Sequence, residues 1–247
     1  MKFPILLPNI FNYPFTYESE LKLKVGDFVE VPFGKAKSIG VVWNEFEKNN
    51  NKNFKIKRII KKLDIPNLKK NTLEFLNWFS KYNIVPKGMA LKLVLLGGKP
   101  VKIFEEKFYQ NFFLKIKQSS IKLTIEQKKA LKQINLANKK FNVHVLQGTT
   151  GSGKTFVYFE ALKKILEKGY QGLILLPEIG LTSQFEKKFF DFFGFKPAIW
   201  HSGITKKNKE IIWSGIVNGE IKVVIGARSS LFLPFKKLGL IIVDEEH

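Results

Sequence analysis

Short apolar runs alternate with helix-length amphipathic segments from Val143 to the end of the chain. Apolar runs of this length, bounded by polar turns, are typical of strands buried on both faces of a parallel sheet. We predict strands at 143–146, 173–176, 198–200, 223–225 and 240–243. Helices are predicted before Gly169, after Thr182 and after Thr205. This alternation of strands and helices predicts an α/β lobe with a mainly parallel sheet.

The first hundred residues show a different pattern. Residues 24–43 contain two strand-like segments on either side of a Pro-Phe-Gly turn, which predicts two strands, and 71–82 predicts a helix. We therefore predict a small β-rich domain at 1–101 and a P-loop lobe at 124–247. The 22 residues of 102–123 are too few for a domain of about 50 residues, so we expect a connector.

Composition excludes several classes of protein. The 247 residues are 45% apolar, which is enough for a packed core, and they include no cysteine. Disulfides, thiolate zinc sites and cysteine nucleophiles are therefore excluded within this chain. The sequence has no apolar run near the roughly 18 residues of a membrane span, and prolines interrupt its first residues. We expect a cytoplasmic protein with no membrane partner.

The net charge of +21 is compatible with a polyanionic partner. Of the 42 basic residues, only Arg58 and Arg228 are arginines, and the many lysines accompany abundant phenylalanine, isoleucine and asparagine. Such a bias is typical of low-GC coding sequences, and runs of charge are usually solvated surfaces. The charge permits binding to DNA without demonstrating it.

A glycine-rich loop follows the first predicted strand of the lobe. Its sequence fits G-x-x-x-x-G-K-[ST], in which backbone N–H groups surround the phosphates of a nucleotide. Lys154 is expected to contact the β- and γ-phosphates and Thr155 to place its hydroxyl on Mg²⁺. A chance glycine loop is the alternative, but a strand is predicted before it and a helix after it. The predicted ATP-binding residues are Gly148, Thr149, Thr150, Gly151, Ser152, Gly153, Lys154 and Thr155.

Two carboxylates follow the last predicted strand. Ligands of open α/β sheets bind at the carboxyl ends of the strands, which is where Asp244 and Glu245 lie. We predict that Asp244 holds Mg²⁺, partly through water, and that Glu245 orients the attacking water. A solvated strand end is the alternative for the acidic pair considered alone. Lys154, Asp244 and Glu245 are therefore the predicted catalytic residues.

Several motifs then carry a resemblance to known proteins. DEEH at 244–247 resembles the DExH box of superfamily 2 helicases, and 122–131 resembles their Q motif, in which Gln127 would hydrogen-bond the adenine edge. Further segments in the same order and spacing resemble the primosomal protein N-prime (PriA) family of replication-restart helicases. Those segments are 31–42, 175–185, 200–209 and 225–235.

The resemblance implies an ATP-dependent 3′-to-5′ DNA helicase that recognises stalled or abandoned forks and restarts replication. Phe11, Asn12, Gly34 and Lys57 match the family's pocket for the 3′ end of a nascent strand. The family commonly has an aspartate at the position of Asn12, so this amide adds a hydrogen-bond donor. Without the resemblance, Phe11 and Gly34 are interpreted as a core aromatic residue and a turn glycine.

The resemblance also implies a DNA track along the lobe, formed by Pro177, Thr182, Arg228 and Ser229. Thr182 begins a predicted helix, so the alternative for its hydroxyl is capping of that helix, which can coexist with phosphate binding. His247, the last residue of the box, is expected to couple the ATP site to DNA. The implied partners are forked and single-stranded DNA, a single-strand binding protein, and primosome or helicase-loading proteins.

Other expected features of the family are absent. The connector at 102–123 leaves no room for a winged helix, and the zinc-binding segment and second motor lobe do not occur in the sequence. We therefore expect the N-terminal part of a longer helicase, with zinc bound only in the missing part and little ATP turnover by this chain alone. A non-enzymatic, ATP-switched fork-binding scaffold and a translocase of the restriction or remodelling type are the alternatives.

Overall fold

The computed structural model describes residues 1–47, 56–96, 122–134, 141–177 and 183–244. The chain forms two compact units. Unit 1 contains Met1–Glu106, Lys206–Asn218 and Phe232–Pro234, and unit 2 contains Lys107–Thr205, Gly219–Leu231 and Phe235–His247. The domain boundaries at 1–101, 102–123 and 124–247 stay predictions, because most of the connector lies outside the described residues. Among the described helices, none is long and apolar enough to cross a membrane.

Unit 1 contains a six-stranded, mostly antiparallel sheet with the order β5-β2-β1-β4-β3-β6. As the pattern at 24–43 predicted, β3 and β4 form a hairpin, and Gly34 at its turn has a φ of +60°. The strands are β1 (Lys2–Leu6), β2 (Phe15–Glu18), β3 (Phe28–Phe33), β4 (Ala36–Val42), β5 (Lys57–Arg58) and β6 (Lys61–Lys62).

One face of this sheet forms an apolar core. Apolar side chains that alternate along the strands pack there, among them Ile5, Val29 and Val42. Tyr17 is buried with them, and its hydroxyl donates to the carbonyl of Pro32. Burial raises the pKa of the Tyr17 hydroxyl to about 12.

The described α-helices of unit 1 are α1 (Lys70–Tyr82), α2 (Lys87–Val94) and α6 (Lys206–Asn218). Within this unit, the buried indole of Trp213 on α6 donates to the carbonyl of Val94 at 2.8 Å. The ring of Trp213 also meets Phe28 edge-on, with centroids 6.1 Å apart. The alternation along the chain predicted α6 but gave no sign of which side chains it contacts.

Unit 2 contains a four-stranded parallel sheet with the order β10-β7-β9-β8. Its strands are β7 (Gln171–Leu175), β8 (Ala198–Trp200), β9 (Val223–Gly226) and β10 (Leu238–Val243). The helices are α3 (Ile125–Gln133), α4 (Lys154–Glu167) and α5 (Ser183–Phe193). Phenylalanines from α4 and α5, among them Phe159 and Phe193, fill the core with edge-on and tilted ring contacts.

The predicted strand at 143–146 is wrong for this structure. Residues 141–149 have no regular secondary structure, and Val143 and Val145 are 74% and 90% exposed. A strand needs a neighbouring strand to pair its N–H and C=O groups, and the described residues supply none to this segment. Of the apolar side chains in this run, Leu146 packs against Leu131, Val157 and Ala161, whereas Val143 and Val145 stay exposed.

Candidate nucleotide and DNA sites

The phosphate-binding motif forms a loop that leads into α4. Gly151 and Gly153 have φ values of +81° and +79°, a conformation that glycine adopts without steric cost. Gly153 is the N-cap of α4, so the N–H groups at the start of this helix lie at the loop. A helix N-terminus combined with a glycine loop is a suitable site for phosphate oxygens.

Lys154, the first residue of α4, folds back over this loop. Its ammonium group donates to the carbonyls of Gly148 at 2.6 Å and Thr149 at 3.1 Å. These two bonds hold the positive charge above the beginning of the loop, where anionic phosphates are expected. The predicted residues of the loop therefore lie together in the structure.

Gln127 contacts the same loop from α3. It forms a capping box with Thr124, whose backbone N–H donates to the Gln127 side-chain oxygen at 3.0 Å. The other end of the amide, Nε2, donates to the carbonyl of Ser152 at 2.9 Å. Gln127 thus ties α3 to the phosphate loop, a contact that the sequence did not indicate, and its bond to adenine stays a prediction.

Asp244 follows β10 at the carboxyl end of the parallel sheet. Its backbone N–H donates to Leu175 and continues the pairing with β7, while its side chain receives a hydrogen bond from Tyr158 at 2.7 Å. Tyr158 lies one turn after Lys154 on α4. This bond joins the predicted acid to the helix that carries Lys154 and Thr155. Glu245 and His247 lie outside the described residues.

These groups fit a magnesium ion bound together with a nucleotide. Mg²⁺ is commonly held by one or two carboxylates plus substrate phosphates and waters, rather than by a cage of protein ligands. Within the described ranges there is no group of three or more histidine, cysteine, aspartate or glutamate side chains that could hold a metal alone. Asp244 and the hydroxyl of Thr155 are the candidate donors.

Three of the four predicted DNA-track residues lie at one edge of the sheet of unit 2. Pro177 comes after β7, and Arg228 and Ser229 begin a short 3₁₀ helix, Arg228–Phe232, after β9. Because β7 and β9 are parallel neighbours, their carboxyl ends lie at the same edge. Thr182, the fourth, lies outside the described residues.

The four residues predicted for the 3′-end pocket belong to unit 1, and one hydrogen bond joins two of them directly. The ammonium group of Lys57 donates to the carbonyl of Gly34 at 3.4 Å. The ring of Phe11 lies 6.3 Å from that of Phe33, the residue before Gly34, and also contacts Phe15. Phe11 and Gly34 therefore also have the structural roles of an aromatic-cluster member and a turn glycine.

The side chain of Asn12, the fourth residue, contacts the first residue of α2. Its side-chain oxygen accepts from the backbone N–H of Lys87 at 3.1 Å, and the next N–H, of Gly88, donates to Phe11. A Cβ added to Gly88 would lie 2.4 Å from the carbonyl oxygen of Asn9, so glycine is required there. Sequence reasoning missed Lys87 and Gly88, although Pro86 before them is typical of a helix start.

A cleft of about 280 Å³ opens beside Asn12. Both acidic and basic side chains line it, together with aromatic rings that could stack against a base. The lining residues are Asn12, Tyr13, Pro14, Glu45, Phe46, Glu47 and Lys87. Glu45 and Glu47 disfavour an added negative charge in this cleft, and the ammonium group of Lys87 offsets part of that effect.

Comparison with known proteins gives two matches in chain order. Residues 4–96 match the model of the 3′ DNA-binding domain (3′BD) of PriA, and 123–247 match the DEAD/DEAH box helicase model. The replication restart protein PriA of Rickettsia conorii is 42% identical over 248 residues, which are 98% of this chain and 37% of that protein.

Two further relatives carry the same name. The protein of Rickettsia prowazekii is 43% identical over 98% of this chain and 37% of its own length, and that of Bacillus subtilis is 39% identical over 64% and 20%. The chain therefore spans little more than a third of the Rickettsia relatives. With half of its residues matched by the helicase model, the chain belongs to the DEAD/DEAH box helicase family and is similar to the N-terminal part of PriA.

Proposed function

We propose that this chain is the N-terminal part of an ATP-dependent 3′-to-5′ DNA helicase that recognises stalled or abandoned replication forks and restarts replication. The observation that carries the proposal is the order of the two family matches, a 3′ DNA-binding domain followed by a helicase lobe, in one chain. It acts in the cytoplasm at the nucleoid, where its DNA substrate lies.

In the ATP site, Lys154 binds the β- and γ-phosphates and the N–H groups of the glycine loop surround them. Thr155 and Asp244 hold Mg²⁺, which neutralises charge on the phosphate oxygens when bound. Glu245 orients the attacking water. The bond from Tyr158 to Asp244 supports this assignment, because it brings the carboxylate to the helix that begins at Lys154.

In the DNA site of unit 1, the exposed part of the Phe11 ring stacks on the terminal base and Lys57 contacts a nearby phosphate. Asn12 hydrogen-bonds the end of the strand. In unit 2, Pro177, Thr182, Arg228 and Ser229 line the track of the strand, with Arg228 as the cationic member. The shared sheet edge of β7 and β9 supports the proximity of Pro177 to Arg228.

Little ATP turnover is proposed for the 247 residues alone. An arginine that stabilises charge on the transferring phosphoryl group is worth roughly 10³–10⁵ in rate, and the resemblance places this arginine in the second lobe. Zinc belongs to that further part as well. The chain itself supplies nucleotide binding and DNA-end recognition.

Single-strand binding protein and primosome or helicase-loading proteins are the proposed protein partners. An exposed aromatic face on α1 supports binding to a protein: Phe75, Trp78 and Tyr82 form a ladder with centroids 6.0 and 5.1 Å apart. Trp78 and Tyr82 are 53% and 73% exposed. Contiguous exposed apolar surface of this kind is typical of an interaction site.

Strand separation by the full-length protein tests the proposal against the scaffold alternative. A forked DNA with a labelled nascent strand is incubated with the protein, Mg²⁺ and either ATP or a non-hydrolysable analogue. The helicase proposal requires displacement of the strand with ATP alone. ATP binding and fork binding without displacement would favour the scaffold instead.

A further inference from the structure

Tyr158 occupies a position that the phosphate-loop motif does not specify. It is 7% exposed and lies on α4, one helical turn after Lys154, where its ring meets that of Phe159 edge-on at 5.3 Å. From this buried ring the hydroxyl donates to Oδ2 of Asp244 at 2.7 Å. A buried hydroxyl that donates to a partly buried carboxylate forms a short, charge-assisted hydrogen bond.

Among the hydrogen bonds of the described residues, the Tyr158 bond holds the side chain of Asp244, and a second bond holds its backbone. The N–H of Asp244 pairs with Leu175 at 3.0 Å, which fixes the backbone but leaves the carboxylate free to rotate. Because Tyr158 holds Oδ2, rotation would break a charge-assisted hydrogen bond. Oδ1 has no protein donor among the hydrogen bonds of the described residues and can accept from other groups.

We infer that Tyr158 is the positioning residue of the metal site: its hydroxyl fixes one oxygen of Asp244 and leaves the other to accept from metal-bound water. This inference rests on the proposed function, in which Asp244 holds Mg²⁺. Groups that orient a metal ligand without touching the metal typically change metal affinity by about 10- to 100-fold when they are removed. The alternative is a purely structural role for the same bond, in joining α4 to the end of β10.

The two roles predict different effects of Tyr158→Phe, which removes the hydroxyl and keeps the ring. A positioning role weakens the site for Mg²⁺ but leaves Mg²⁺-free binding of nucleotide unchanged. A purely structural role weakens both or changes neither. The change in Mg²⁺ affinity, compared with the change in Mg²⁺-free nucleotide affinity, therefore distinguishes the two roles.

The experiment titrates Mg²⁺ into the complete chain at a fixed concentration of a fluorescent ATP analogue, and repeats the nucleotide titration in EDTA. We expect Tyr158→Phe to raise the half-saturating Mg²⁺ concentration by about tenfold with no change in EDTA. Tyr170→Phe is the matched control: it removes a tyrosine hydroxyl just beyond the C-terminal end of α4 and should behave as the wild type. In an Asp244→Ala background, Tyr158→Phe should have no further effect.

Three results would overturn the inference. If Asp244→Ala shifts the Mg²⁺ titration and Tyr158→Phe does not, the positioning role is wrong and the proposed function stands. If Asp244→Ala also leaves the titration unchanged, Asp244 does not hold the metal, and that part of the proposed function is wrong as well. If Tyr158→Phe weakens binding equally in EDTA, its role is structural.

Discussion

The side-chain oxygen of Asn12 accepts a hydrogen bond from the backbone N–H of Lys87, 75 residues away in the sequence. Lys87 begins α2, and the first N–H groups of a helix have no partner within it. A backbone N–H can only donate, so the bond fixes which end of the amide faces the helix. The Asn12 oxygen is therefore committed to α2, and its NH₂ group is the end that can contact DNA.

We predict that Asn12→Ala destabilises unit 1 by about 0.5–2 kcal/mol, the usual effect of removing a helix cap. Asn12→Asp keeps an acceptor at the helix N-terminus and should be at least as stable as the wild type. Urea unfolding measures both. Asn44→Ala, at an exposed asparagine, is the control, and an Asn12→Ala curve that coincides with it would show that the cap contributes nothing.

Lys154→Ala should weaken binding of ATP–Mg²⁺ by about 1.5–3 kcal/mol, because it removes a charged hydrogen-bond donor to the phosphates. The fold should be unaffected. Within the described residues, the hydrogen bonds of the Lys154 side chain go to carbonyls of its own loop, so its removal breaks no contact between elements. Titration calorimetry measures the affinity, with Lys164→Ala on the exposed side of α4 as the control. An affinity equal to that of the wild type would exclude Lys154 from the site.

Alanine substitutions at the two positive-φ glycines of the loop, Gly151 and Gly153, distinguish the effect of backbone strain from the effect of disturbing the Gln127 contact. Alanine at either costs about 1–2 kcal/mol in backbone strain. A Cβ at Gly153 would also lie 2.4 Å from Nε2 of Gln127, whereas one at Gly151 has no neighbour within 4 Å. Gly153→Ala should therefore reduce ATP affinity more than Gly151→Ala, as measured by calorimetry. Equal losses would mean that the Gln127 contact does not support the loop.

The chain alone should bind ATP and release phosphate at no more than about a thousandth of the rate of a complete helicase, with or without DNA. The physical reason is the arginine that the second lobe is proposed to supply. A coupled phosphate-release assay with single-stranded DNA measures this, and Asp244→Ala provides the background. Strong DNA-stimulated release by the 247 residues would show that the second lobe is not required.

The pattern of apolar and polar residues along the chain was sufficient to predict β7, β9 and α4. In each of them the apolar side chains are buried as the pattern indicates. It failed at 143–146, where an apolar run needs a neighbouring strand to pair with, and no local signal indicates whether one is present. The loop residues Gly148 to Thr155 were predicted together because they are contiguous.

Contacts between distant residues were not predictable. Nothing near Trp213 in the sequence indicates that its indole bonds to Val94, and nothing near Asp244 indicates Tyr158. In each case a side chain of one helix meets a group more than 80 residues away. Amphipathic periodicity predicts that a helix face is buried, but the partner of that face depends on tertiary packing.

Recognition of a 3′ end by unit 1 is the central claim, and fluorescence anisotropy of the complete chain with recessed 3′-hydroxyl and 3′-phosphate ends tests it most directly. The carboxylates of Glu45 and Glu47 beside Asn12 should disfavour an added phosphate. We predict at least about fivefold tighter binding of the hydroxyl end, a difference of about 1 kcal/mol.

The same measurement at two salt concentrations separates this pocket from general attraction of DNA to lysines, which follows charge and falls steeply with salt. The preference should persist at the higher salt, disappear in Phe11→Ala and remain in Phe190→Ala, a control at an exposed phenylalanine of unit 2. Equal affinities for the two ends, or a preference that survives Phe11→Ala, would contradict recognition of the 3′ end by this pocket.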